Sequence, residues 1–165
     1  MAEKILMPDT GMQTYVLQDA DGAEVARVRF NPSDTGIMTR GADALKTIRA
    51  EIDKLNDAAE GDVIARLNAM RQAERAVCGA LDWMLGAPVS KELFAHISPL
   101  AVTQSGALWI ENIVEALTPE ISGALQANLQ ANRSRAAQRA SGGQYADAKA
   151  LLDQLDRYDA GGGTP

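Results

Sequence analysis

One long amphipathic stretch, from Gly61 to Gly86, most constrains what this chain can fold into. It contains no proline, and Gly79 is its only internal glycine. Its large apolar residues recur mostly at spacings of three and four, so they fall on one stripe of an α-helix. The stripe consists of Val63, Ile64, Leu67, Met70, Val77, Leu81, Met84 and Leu85. Asp62 is a helix-start signal and Gly86 a stop signal, so we expect one long helix as the spine of the domain.

The composition restricts the function classes. A chain of 165 residues is expected to form one domain, and its apolar fraction of 46% relies on alanine, with only 4% aromatics. The formal charge of -6 argues against general nucleic-acid binding and against docking on anionic membranes, because both need a basic face. The residues from Met1 to Gly11 are too short and polar for a signal peptide, and no run approaches a membrane span. We therefore expect a soluble protein of the cytoplasm.

The first ordered feature is predicted to be a β-hairpin from Thr14 to Phe30. Asp19–Gly22 has turn chemistry, and the strands on either side favour extended structure. Alternation in the second strand puts Ala26, Val28 and Phe30 on one face and Arg27 and Arg29 on the other. Because a lone hairpin is marginal in water, it must lean on the helices or pair with another chain.

A helix is predicted after the hairpin, with Asn31 as its cap, Pro32 in its first turn and Asp34 at the capping-box position. Apolar residues then follow at spacings of three and four, as in a seam for one partner helix. The seam consists of Met38, Gly41, Leu45, Ile48, Ile52 and Leu55. Packing inside the same domain is favoured over a coiled coil between chains, which needs more heptads.

Three more helices are expected between the spine and residue 140. They are a short one capped by Ser90, one over Ser105–Leu117, and one that restarts at Thr118-Pro119. The predicted fold class is therefore mainly α, an N-terminal β-hairpin followed by a bundle of about five helices around one long central helix. The predicted organisation is a flexible N-terminus over 1–13, a hairpin-plus-bundle domain over 14–140, and a C-terminal region over 141–165. That last region comprises a hinge, an amphipathic helix and a disordered tail.

No catalytic, metal or cofactor site is predicted. His96 is the only histidine, and a core or helix-end role is favoured because no second histidine or cysteine completes a metal set. The single cysteine, Cys78, is expected to be a small buried residue rather than a reactive thiol. No glycine-rich phosphate loop follows a strand.

Two residues of the spine helix are candidate partner contacts. Glu74 intrudes on the apolar stripe, and it either pairs with Arg71 or a neighbouring helix, or contacts the basic helix of a partner. Trp83 lies opposite the stripe, where it either packs under Ser90–Ile97 or serves as an exposed anchor, because tryptophan is common in interface hot spots.

The C-terminal region supplies the other candidates. Leu151, Leu155 and Tyr158 share one side of an amphipathic segment, which either folds back as a core helix or recognises a partner. The preceding arginines, Arg133, Arg135 and Arg139, fit a solvated helix end better than a nucleic-acid contact.

The passage Val28-Arg29-Phe30-Asn31-Pro32-Ser33-Asp34 and the later Leu108–Pro119 stretch resemble small proteins encoded in the tail modules of long-tailed, siphovirus-like bacteriophages. The resemblance covers about Thr14 to Arg139 and is to tail assembly chaperones. It implies a non-enzymatic protein of the host cytoplasm that binds the tape measure protein, keeps it soluble, and recruits tail tube subunits during virion assembly. The family has no catalytic motif to transfer. The alternative is a structural or scaffolding subunit that self-associates, as a homo-oligomer, through the hairpin edge.

Overall fold

A computed structural model of the chain describes residues 7–57, 62–141 and 153. These residues form two strands and four helices, which confirms a mainly helical protein with an N-terminal hairpin and corrects the predicted count of about five helices. The elements are β1 (Gln13–Gln18), β2 (Glu24–Phe30), α1 (Gly36–Asp57), α2 (Val63–Leu85), α3 (Ser90–Leu93) and α4 (Trp109–Ala140). The chain divides into two compact units, Met1–Leu125 and Gln126–Pro165.

The predicted hairpin is present. β1 and β2 pair antiparallel, with Tyr15 opposite Val28, and the ring of Tyr15 stacks on that of Phe30 with centroids 4.9 Å apart. Asp19 organises the turn, because its Oδ1 accepts hydrogen bonds from the backbone N–H groups of Asp21 and Ala23 at 3.0 and 2.9 Å. The face with Ala26, Val28 and Phe30 is buried, as the alternation predicts.

Helix α1 begins at Gly36, later than the sequence signals suggest. Asn31 does not cap it, because its Oδ1 accepts a bond from the N–H of Ser33 at 2.8 Å and closes a local turn instead. Asp34 takes over at the helix start, where its Oδ1 accepts a bond from the N–H of Gly36 at 2.8 Å. The side chain of Asn31 therefore stabilises a turn instead of the helix. The helix begins only after Asp34, whose carboxylate bonds a backbone N–H at the helix start.

Helix α2 closely matches the predicted spine. The Asp62 side chain accepts a bond from the N–H of Ala65 at 2.7 Å, and the helix ends at Gly86, whose φ of 65° is the left-handed conformation favoured by glycine. α1 packs closely along α2, and small residues allow the approach: Ala44, Ala73 and Ala80 are buried.

An arginine joins the start of α1 to the end of α2. The Arg40 guanidinium donates from Nη2 to Oδ2 of Asp34 at 2.5 Å and from Nε to the carbonyl oxygen of Met84 at 3.2 Å. Two glycines make room for it, since a Cβ at Gly36 would collide with Nη1 of Arg40 and one at Gly86 would lie 3.2 Å from Nη2. The guanidinium therefore occupies space that the absence of a Cβ at Gly36 and Gly86 leaves free.

Helix α3 is one turn long, and Ser90 is its first residue rather than its cap. The cap position belongs to Val89, which makes no side-chain capping bond. Ser90 instead donates from its backbone N and its Oγ to the two carboxylate oxygens of Asp82, both at 2.7 Å. Asp82 thus fixes α3 against the end of α2.

Helix α4 runs unbroken through Pro119, where the sequence predicts a restart, and it is longer than α2. Four of its residues are buried at spacings of three and four on both sides of the proline: Ile110, Ile113, Leu117 and Ile121. Because the helix continues, Ile121 lies on the same buried face as Ile110, Ile113 and Leu117. The burial of Ile121 outweighs the loss of the backbone hydrogen bond that proline removes. Thr118 donates from Oγ1 to the carbonyl oxygen of Val114 at 2.7 Å instead of capping a new helix.

In the part of the chain that the structure describes, no helix combines the length and the apolar character needed to cross a bilayer.

Candidate partner-binding surfaces

The first turns of α4 pack into the core along one stripe and leave a groove on each flank. One flank faces β1 and the other faces α1. We refer to these as the β1–α4 groove and the α1–α4 groove. Both lie within the unit that ends at Leu125.

The α1–α4 groove consists of two adjoining cavities of about 210 and 230 Å³ that share Leu45 and Val114. Its lining is mainly aliphatic: Ile37, Met38, Gly41, Ala42, Leu45, Ile48, Ile52, Ile110, Val114, Leu117 and Ile121. Helix α1 packs closely along α2, and α1 and α4 contribute buried side chains to one core. The groove lies beside these buried side chains, between α1 and α4.

The rim of this groove is partly charged and partly adaptable. Arg49, Glu111 and Glu115 stand at one end, and Thr118 lines the other. Met38 is 65% exposed on the rim, and the unbranched thioether of methionine adapts to differently shaped apolar partners.

The β1–α4 groove has a volume of about 450 Å³. Four consecutive β1 residues, Tyr15 to Gln18, line it together with Trp109, Asn112, Ala116 and Glu120 of α4. Successive side chains of a strand point to opposite faces, so four in a row meet one groove only along the edge of the strand. The other edge of β1 pairs with β2, which makes this the unpaired edge of β1 among the described residues.

A third apolar surface lies on the first half of α2. Val63, Ile64, Leu67 and Met70 belong to the predicted stripe, yet they are exposed, whereas the residues of the second half are buried. The stripe therefore runs past the region that the described core covers, and only its C-terminal part has the predicted packing role.

The structure gives Glu74 a partner inside the chain. Ser98 donates from Oγ to Oε1 of Glu74 at 2.5 Å, and the same Oγ accepts a bond from the N–H of Leu100 at 3.2 Å. Glu74 is half-buried and connects α2 to the segment between α3 and α4. A contact between Glu74 and a partner protein stays a prediction.

Trp83 is 51% exposed, on the side of α2 opposite Glu74. Nine residues separate them, which is two and a half turns, so the two candidates do not form one surface. The remaining predicted contacts, Leu151, Leu155 and Tyr158, lie outside the described residues.

Among the described residues, the titratable groups differ in their surroundings. Burial, followed by the charge of Asp82, raises the pKa of the Cys78 thiol, which is half-buried on α2. His96 is exposed, three residues after α3 ends. No group of three or more His, Cys, Asp or Glu residues in the described part of the chain is placed to hold a metal ion.

The residues of the two grooves were not singled out from the sequence as a site. The sequence predicts the α1 seam, and five of its six members line the α1–α4 groove: Met38, Gly41, Leu45, Ile48 and Ile52. The apolar spacing on α1 indicates that another helix faces this seam. It does not show whether the side chains of that helix fill the space beside the seam.

Comparison with models of known protein families, with curated proteins and with solved structures finds no match.

Proposed function

We propose that this protein is a non-enzymatic tail assembly chaperone of a long-tailed phage, which holds a helical segment of the tape measure protein in the host cytoplasm and keeps it soluble. The observation that carries the binding role is the α1–α4 groove, two adjoining apolar cavities with an exposed rim at Met38, Ala42 and Thr118. The choice of client rests on the resemblance of residues 28–34 and 108–119 to such chaperones.

The groove suits a helix in its dimensions. Its α1 wall runs from Ile37 to Ile52, which at 1.5 Å per residue is about 22 Å, or roughly four turns of a docked helix. An amphipathic helix binds such a groove through apolar side chains at spacings of three and four. Clients of varied sequence are accommodated because Met38 and the aliphatic walls can repack.

The acidic surface supports the same role. The chain has a formal charge of -6, so complexes that carry several copies repel each other and stay dispersed. The tail tube protein is a further partner in this proposal, and nothing in the described residues selects a surface for it.

The test is co-expression of the chain with helical fragments of a tape measure protein, followed by size-exclusion chromatography with light scattering. We expect a co-eluting complex, and we expect the fragment to be insoluble when it is expressed alone. A soluble fragment, or one that never co-elutes, would contradict the proposal.

Replacing either of two alanines of α1 by glutamate tests whether the groove is the binding surface. Ala42→Glu puts a charge on the exposed rim and should abolish co-elution, because a desolvated unpaired carboxylate opposes binding. Ala50→Glu makes the same change on the same helix at an exposed position that does not line the groove, and it should leave the complex intact. Equal effects of the two variants would remove the groove from the proposal. Loss of binding in Leu67→Glu alone would move the client to the exposed α2 surface.

A second candidate is a structural or scaffolding subunit that self-associates through the hairpin. The unpaired edge of β1 favours it, since such an edge can accept a strand from another copy. Light scattering over a range of protein concentrations tests it, and a monomer at every concentration would exclude it.

A further inference from the structure

We infer that the β1–α4 groove binds an extended segment of a partner protein as a third strand beside β1, with a basic side chain of that segment next to Glu120. The inference concerns a different surface from the proposed client groove and stands independently of it.

The backbone of β1 supplies the main attachment. In an antiparallel pair only alternate residues bond to the partner strand, so about three N–H and three C=O groups of the six-residue β1 point to the outer edge. Residues 15–18 line the groove in an unbroken run, so the outer edge of β1 borders it. A polypeptide in extended conformation can pair with all of those N–H and C=O groups at once.

Helix α4 supplies a floor for side chains. Trp109 and Ala116 present apolar surface along the groove, above the buried Ile113 and Leu117, and the small side chain of Ala116 keeps it open. A strand laid beside β1 turns alternate side chains towards this floor. The segment therefore carries apolar residues at every second position.

The charge at the groove selects the partner. Glu120 lines the groove, is exposed, and forms no ion pair in the described part of the chain. Its carboxylate lies close enough to Tyr15 to contribute to raising the pKa of that phenol, after the larger effect of burial. A second copy pairing through its own β1 brings the sequence Gln-Thr-Tyr-Val-Leu-Gln, which has no cation for Glu120. A segment that contains lysine or arginine supplies such a cation.

The probes are three eight-residue peptides with valine and threonine in alternation and lysine, glutamine or glutamate at one central position. The protein carries Trp83→Phe, which leaves Trp109 in the groove as its only tryptophan. Titration followed by Trp109 fluorescence gives the affinities. Amide hydrogen exchange by NMR shows whether alternate β1 amides gain protection, as strand pairing requires.

We expect the lysine peptide to bind about fivefold more tightly than the glutamate peptide at low salt. Glu120→Lys should reverse that order, and Glu115→Lys, at an exposed carboxylate of α4 that does not line this groove, should leave it unchanged. Ala116→Phe fills the groove and should abolish binding of all three peptides, while Ala42→Phe on α1 should not.

Three results would overturn the inference. The first is no saturable change of Trp109 emission with any peptide up to about 1 mM, a concentration that corresponds to a binding free energy of only about 4 kcal/mol. The second is binding without discrimination between lysine and glutamate, or without protection of β1 amides. The third is a dimer of the free protein that Ala116→Phe dissociates, which would make the occupant a second copy of this chain.

Discussion

The contact between Gly36 and Arg40 predicts a sign reversal in a double-mutant cycle. Gly36→Ala alone should destabilise the protein, because the new Cβ collides with Nη1 of Arg40 and would lie 3.0 Å from Cζ. The arginine side chain must then move, and movement lengthens its bonds to Asp34 and to the carbonyl oxygen of Met84. In an Arg40→Ala background only Oδ1 of Asp34, 3.0 Å from the new Cβ, must shift by a few tenths of an ångström, and Gly36→Ala should stabilise the protein.

The magnitude follows from the two bonds of Arg40. The bond to the Met84 carbonyl contributes about 1 kcal/mol. The ion pair is discounted to about 0.5 kcal/mol because its side chains are 25% and 37% exposed. Alanine in place of glycine near a helix start raises the free energy of unfolding by about 0.5 kcal/mol. Gly36→Ala should therefore cost about 1 kcal/mol in the parent and gain about 0.5 kcal/mol without the arginine, a coupling of about 1.5 kcal/mol.

Urea unfolding followed by circular dichroism measures the free energy of unfolding for the parent, the two single variants and the double variant. Gly41→Ala is the control in the same helix, because its Cβ would meet only the Met84 side chain, with Sδ and Cγ at the ordinary distances of 3.8 and 3.9 Å. It should have the same effect with and without Arg40. Additivity of Gly36→Ala and Arg40→Ala within about 0.5 kcal/mol would refute the proposed contact.

Further predictions concern pH, helix propensity and thiol reactivity. The hydrogen bond from Arg40 lowers the pKa of Asp34 in the folded state, so its stabilisation is present above the unfolded pKa of about 4 and is lost as pH falls through the folded value. Acid titration of unfolding should therefore show a shallower decline for Asp34→Asn, and an unchanged slope would contradict this assignment. Gly79→Ala should stabilise by about 0.5–1 kcal/mol in urea unfolding, because a Cβ there meets nothing within 4 Å, and a loss of stability would reveal a contact. Cys78 should react with an aromatic disulfide reagent more slowly at neutral pH in the folded protein than in urea, because burial raises its thiol pKa; equal rates would argue against that environment.

The elements that could be predicted from the sequence are those with local causes. The spine was expected over Gly61–Gly86 and α2 runs Val63–Leu85, because Asp62 and Gly86 act on the backbone next to them. The hairpin depends on alternation and on a turn a few residues long.

The elements that were missed depend on distant residues. The Thr118-Pro119 pair carries a local signal for a new helix, but Ile121 is buried with Leu117 only if the helix continues. The same holds for the candidate site. The seam on α1 was visible, whereas the space between α1 and α4 depends on how both helices pack against the rest of the core.

The late position of α4 in the chain has a consequence for synthesis. Its buried residues share one core with the hairpin and α1, yet Ile121 leaves the ribosome about ninety residues after Phe30. The hairpin, α1, α2 and α3 are complete by Leu93, and at about 5–20 residues per second the stretch up to Ile121 takes roughly 1–6 s. During that interval Phe30 and its apolar neighbours stay partly exposed to water, because α4 does not yet cover them. The nascent chain is then most exposed to aggregation and to cellular chaperones, so slow elongation during that interval would prolong the risk.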